Sequence, residues 1–162
     1  MNRSRACAVV LFALTGTASA LGAGPESLTL MGLRLSMTPE AVQAVLAPQS
    51  ERISWRSGPC PEAAQWHCLA GLRAVLPDGT INVVFRAGRV WQVRLGVRGR
   101  GEEDRDLVRA AAVAHYGAPD LDQPAWCRPD GAGGHCRADA PSLVFKPAVG
   151  AAGELVLTGP AE

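Results

Sequence analysis

The chain has 162 residues, enough for one ordinary domain or two small units sharing a core. Its 16 basic and 15 acidic residues leave a net charge of +1, which argues against a general nucleic-acid binder and against a polybasic membrane anchor. A hydrophobic content of 48% supports a packed core and argues against wholesale disorder.

Residues 1–20 have the form of an export address. Arg3 and Arg5 precede a compact apolar run from Ala6 to Leu14, and Ala18-Ser19-Ala20 is a small-x-small cleavage pattern. The run is shorter than the ~20 residues a membrane span needs. Cys7 lies inside it, the wrong place for a lipid-carrying cysteine at a new N-terminus. The expectation is cleavage after Ala20 and a periplasmic or secreted chain with no stable membrane anchor. Without Arg3 and Arg5 the balance is 14 basic to 15 acidic residues, or −1.

Residues 28–35 read as a short strand leading to a helix. Thr38 suits the N-cap, Pro39 the first helical position, and Pro48 the end. Val42, Val45 and Leu46 form its apolar stripe. Residues 51–57 alternate, with Ile53 and Trp55 on one side and Arg52, Ser54 and Arg56 on the other. A strand over 69–76 stops at the Pro77-Asp78-Gly79 turn signal. Ile81, Val83 and Phe85 mark the next strand, and Ala87-Gly88 a tight hairpin turn. Trp91, Val93, Leu95 and Val97 share one side of the returning strand, which places Val90 and Gln92 on the other. Glu102, Glu103, Asp104 and Asp106 read as the start of a second helix, where carboxylates offset the positive dipole end, rather than as a cation site. That helix is predicted to bury Leu107, Val108, Ala111, Ala112 and His115 and to end at Gly117. Short strands are predicted around Trp126, Cys136, 142–146 and 154–158.

With Cys7 removed, Cys60, Cys68, Cys127 and Cys136 remain, and four cysteines in an exported chain favour two disulfides. Three connectivities are possible, and the spacing favours Cys60–Cys68 and Cys127–Cys136. His67 and His135 each precede the second cysteine of a pair, but the spacing is not that of a structural zinc site, so no metal or other cofactor is expected.

The order of elements repeats. A helix ending near proline, a cysteine pair, and two hydrophobic strands occur twice, with 83–86 matched to 143–146 and 93–96 to 156–159. The expected fold is α+β: two tandem helix-then-antiparallel-strand repeats, residues 21–98 and 99–162, with helices packed on one face of an antiparallel sheet.

The stretch Gly32 to Glu40, with Ser36-Met37-Thr38-Pro39 before Val42, Leu46 and Pro48, resembles a helix start of two related groups. These are the β-lactamase inhibitor protein-like fold and the SmpA/OmlA-like small exported proteins. The Phe85 to Val90 hairpin resembles their aromatic-x-x-G-x-V hairpin. The resemblance covers mainly residues 28–97 and implies helical elements on an antiparallel sheet and function through protein–protein contacts without catalysis.

No G-x-S-x-G, H-E-x-x-H, G-x-x-x-x-G-K or G-x-G-x-x-G pattern is present. Asp120, Asp122 and Asp130 lie in turn-like sequence, where aspartate is ordinary. The functional candidates are therefore a sheet face and a loop. Arg52, Arg56, Arg73, Arg86 and Arg94, with Gln92, fall on the side opposite the apolar alternation, and arginine forks suit carboxylate or phosphate partners. Fifteen of the sixteen basic residues are arginine, so an ordinary solvated face has the same composition. Trp66, in the cysteine-flanked loop, is a candidate interface anchor or a cap on the core. The expected function is a non-catalytic interaction module for an acidic surface of an envelope or secreted protein. A binding protein for an anionic envelope ligand and an unrecognised hydrolase are the alternatives.

Overall fold

The computed structural model describes residues 28–57, 69–99, 101–122, 124–131, 134–148 and 151–161. After helix α1 (Pro39–Leu46) and a 3₁₀ turn (Ala47–Gln49) come four strands, β1 (Arg52–Ser57), β2 (Leu69–Leu76), β3 (Gly79–Arg86) and β4 (Arg89–Val97). Helix α2 (Glu102–Tyr116) follows, then β5 (Ala125–Cys127), β6 (Ser142–Lys146) and β7 (Gly153–Thr158). All seven strands form one antiparallel sheet in the order β1-β2-β3-β4-β7-β6-β5.

This corrects the expected architecture. The chain does not form two tandem helix-then-strand repeats with helices packed on one sheet face. A single sheet dominates, and β4 pairs with β7 at its middle. The order of elements along a sequence does not fix which strands pair across a long connection, and that pairing, here β4 with β7, decides the architecture. The strand expected over 28–35 is a turn closed by paired backbone bonds between Leu30 and Leu33. Around Cys136 there is likewise only an isolated bridge to Pro129.

The register aligns apolar side chains across every strand. One row runs Trp55, Leu72, Val83, Val93, Leu157, Leu143, Trp126. A second runs Ile53, Ala74, Ile81, Leu95, Leu155, Phe145. Their period-two alternation puts both rows on the core side. Helix α1 adds Val42 and Leu46, both fully buried, and the segment before it adds Leu28, Leu30 and Leu33. Thr38 caps α1 as its sequence predicts, its Oγ1 accepting from Ala41 N at 3.3 Å, with Pro39 in the first turn. Ser36 N donates to Val90 O and Val90 N to Met37 O, both at 2.9 Å, so the start of α1 is bonded directly to β4.

Helix α2 differs from expectation in its packing. Only Ala112 is buried; Val108 packs partly, whereas Leu107, Ala111 and His115 are exposed. Its last turn is fixed by aromatics instead. The Tyr116 hydroxyl donates to Thr29 O at 2.6 Å, the Tyr116 ring lies 5.4 Å from that of Trp126, and Trp126 Nε1 donates to Gly117 O at 2.9 Å.

The disulfide Cys127–Cys136 is present and clamps a hairpin in which Asp130 N donates to His135 O and Arg137 N to Arg128 O. Asp120 Oδ2 accepts from Cys127 N at 2.8 Å, so this aspartate supports a turn. Cys60, Cys68 and the expected bond between them lie outside the described residues.

Two outcomes follow from these contacts. The β3–β4 turn holds Ala87 at φ 47° and Gly88 at φ 69°, a left-handed pair that asparagine tolerates at its first position far better than alanine. Ala87→Asn should therefore raise stability by about 0.5–1 kcal/mol in urea denaturation. Burial raises the Tyr116 phenol pKa well above its ordinary value of about 10. The folded chain then holds that proton more tightly than the unfolded one, so this contribution is intact below about pH 10 and is lost as pH rises past it. Tyr116 is the sole tyrosine, so the tyrosinate increment near 295 nm, taken as the difference from the Tyr116→Phe variant to subtract the four tryptophans, follows its ionisation, and Tyr116→Phe should remove this alkaline component of unfolding.

Candidate functional site

The face opposite the core carries the arginines. Across it, one row reads Ser54, Arg73, Asn82, Arg94, Val156, Val144, and the flanking rows start at Arg52 and Arg56 on β1. All five sequence-predicted arginines are exposed, but they are not equivalent. Arg94 is held by Glu154 through two bonds, Nε to Oε1 at 2.9 Å and Nη2 to Oε2 at 2.8 Å. Those bonds push the Arg94 pKa up and satisfy its fork. The Arg86 guanidinium lies over the Trp91 ring, 3.5 Å from its centroid. Gln92 is half-buried and donates to Thr158 Oγ1 at 3.2 Å. Each of these three is thus already engaged within the chain.

Arg52, Arg56 and Arg73 are different. They sit together at one end of the sheet, Arg52 and Arg56 about 13 Å apart along β1, with Arg73 on β2 opposite the intervening Ser54. Among the described residues none of the three has an acidic partner; the ion pairs are Arg94–Glu154 and Arg137–Asp139. Toward the other end the same face is closed, with Val156 and Ala125 buried. Among the described residues, the arginines of this face not already engaged within the chain therefore lie at the β1–β2 end. Trp66 lies outside the described residues.

Val90 and Trp91 exchange the sides expected for them. The register shifts between Val84 and Phe85, so Phe85 pairs with Val90 and Trp91 is the extra residue of a bulge. Val90 joins the core at 3% exposure, and Trp91 turns to the arginine side beneath Arg86. There its Nε1 donates to Pro160 O at 3.2 Å, and Gly159 N donates to Trp91 O at 2.7 Å. Sequence reading missed Glu154 as a member of this face. The alternation of Leu155 and Leu157 gives its side, but not the strand it faces.

Among the described residues no group of three or more His, Cys, Asp and Glu side chains is placed to hold a metal ion, and no helix is long and apolar enough to cross a membrane. Comparison with family models, curated proteins and solved structures finds no match to this chain.

The Arg94–Glu154 pair is largely solvent-exposed on its arginine side, so its stabilisation is small. Glu154→Gln should lower stability by no more than about 1 kcal/mol in urea denaturation at low salt, with the difference shrinking as salt is added.

Proposed function

We propose that this chain is an exported, non-catalytic module that binds an acidic surface of another envelope or secreted protein through the β1–β2 end of the sheet. The observation that carries this reading is the set of three exposed guanidinium groups, Arg52, Arg56 and Arg73, gathered on one face without an acidic partner among the described residues. Arginine forks bind carboxylates in a bidentate geometry, as Arg94 does with Glu154 on the same face. A partner supplying carboxylates would present complementary charge to all three cations. Export is supported by the signal-like residues 1–20 and by the Cys127–Cys136 disulfide, which suits an oxidising compartment.

The test is affinity capture from an envelope extract with the tagged, exported chain. It is run beside Arg52→Glu/Arg56→Glu/Arg73→Glu and beside Arg109→Glu on the exposed side of α2, all with matched circular dichroism melts. The expected result is a partner retained by the native chain and by Arg109→Glu, lost from the triple variant, and released as ionic strength rises well above 0.1 M. Equal capture by all three proteins would sink the proposal.

A further inference from the structure

The three arginines without an acidic partner among the described residues lie at the β1–β2 end of the sheet, and the edge strand β1 carries a second exposed feature. Among the described residues, Trp55 is the most exposed large apolar side chain of the sheet, 37% accessible. It stacks on Phe85 on the core side, at 6.1 Å between centroids, whereas Arg52 and Arg56 project from the opposite side. Between these two sets of side chains runs the β1 backbone, which pairs with β2 and with no other strand among the described residues. A partner lying flat on the arginine face would meet the cations but not Trp55. A partner strand added alongside β1 would meet the cations with one set of its side chains and Trp55 with the other, while its backbone completes the ladder.

We infer that β1 is a strand-accepting edge, to which an extended acidic segment of the partner adds as an eighth strand. This rests on the acidic-partner reading above and specifies its mode. The register fixes the chemistry of the segment. Arg52 and Arg56 are four residues apart on one face, and Ile53 and Trp55 occupy the alternate positions on the other. The complementary stretch therefore reads acid, apolar, any residue, apolar, acid. A second copy of this chain is a poor occupant, because pairing two β1 edges would set arginine beside arginine.

The probes are two acetylated, amidated peptides, one containing Glu-Val-Thr-Val-Glu and the other Glu-Pro-Thr-Pro-Glu. They carry the same acids, but proline removes backbone donors and the strand geometry. Each is titrated at low salt into the ¹⁵N-labelled chain and into the Arg52→Glu/Arg56→Glu, Trp55→Ala and Trp55→Phe variants, after melts show these to be folded. The valine peptide should shift the β1 amides and slow their exchange. Its affinity should fall at least tenfold with the arginine reversal and at least fivefold with Trp55→Ala, and should largely survive Trp55→Phe. The proline peptide should bind at least tenfold more weakly. Equal binding of both peptides, or binding that needs the arginines but ignores Trp55→Ala, would overturn strand addition and leave docking on the arginine face standing. If no β1 amide responds at millimolar peptide, strand addition is also overturned. In that event, partner capture in the preceding experiment decides separately whether the acidic-partner reading survives.

Discussion

The pairing of β4 with β7 is the constraint on which the rest of the structure depends. It sets Val93 against Leu157 and Leu95 against Leu155, and so joins the apolar rows of β1–β4 to those of β5–β7. Without it the chain would present two incomplete sheets, each with an unpaired central edge. The core residues on both sides are almost wholly enclosed, with Val93 and Leu157 at 0% exposure, so a shift of this register by one residue would be costly. Such a slip would turn Leu155 and Leu157 away from the core. It would also part Arg94 from Glu154, which meet only because their neighbours Leu95 and Leu155 are opposed. The electrostatic pair is thus a consequence of the hydrophobic register rather than its cause.

Local features of this fold were legible in the sequence. Thr38 and Pro39 announced α1, the alternation of Ile81, Val83 and Phe85 announced β3, and the two turns at Pro77-Asp78 and Ala87-Gly88 fell between the strands expected. These follow from short-range chemistry: capping, dipole compensation and turn geometry. Three things were not legible. The β4–β7 pairing depends on contacts more than 50 residues apart in the chain. The bulge that turns Trp91 outward and Val90 inward is a single extra residue, which a strict two-residue period cannot show. The exposure of Leu107 on α2 reflects how much of the sheet that helix reaches, which a helical stripe alone does not give.

The candidate site divides along the same line. Composition and alternation placed Arg52, Arg56, Arg73, Arg86 and Arg94 on one face, but only the fold sorts them by partner. Arg94 lies on a central strand, where its neighbours are fixed on both sides, and it meets Glu154. Arg86 meets Trp91 because the bulge places that ring beneath it. Arg52 and Arg56 lie on the edge strand and Arg73 on the next, where among the described residues no further β-strand supplies a carboxylate.

That distribution has a physical logic. At the sheet edge the guanidinium groups keep their water, so three like charges without an acidic partner cost the folded state little. Farther in, an arginine needs a partner such as Glu154 or a ring such as Trp91 to occupy its fork. The positions that fold stability leaves unassigned are therefore at β1, and Trp55 belongs to the same class, since it ends the apolar row where core packing runs out. An edge strand bearing charge on one side also resists indiscriminate pairing with neutral or cationic strands. The arginines that exclude most chains from this edge are the groups that would select an acidic one, so protection from aggregation and recognition of a partner place the same demand on the same residues.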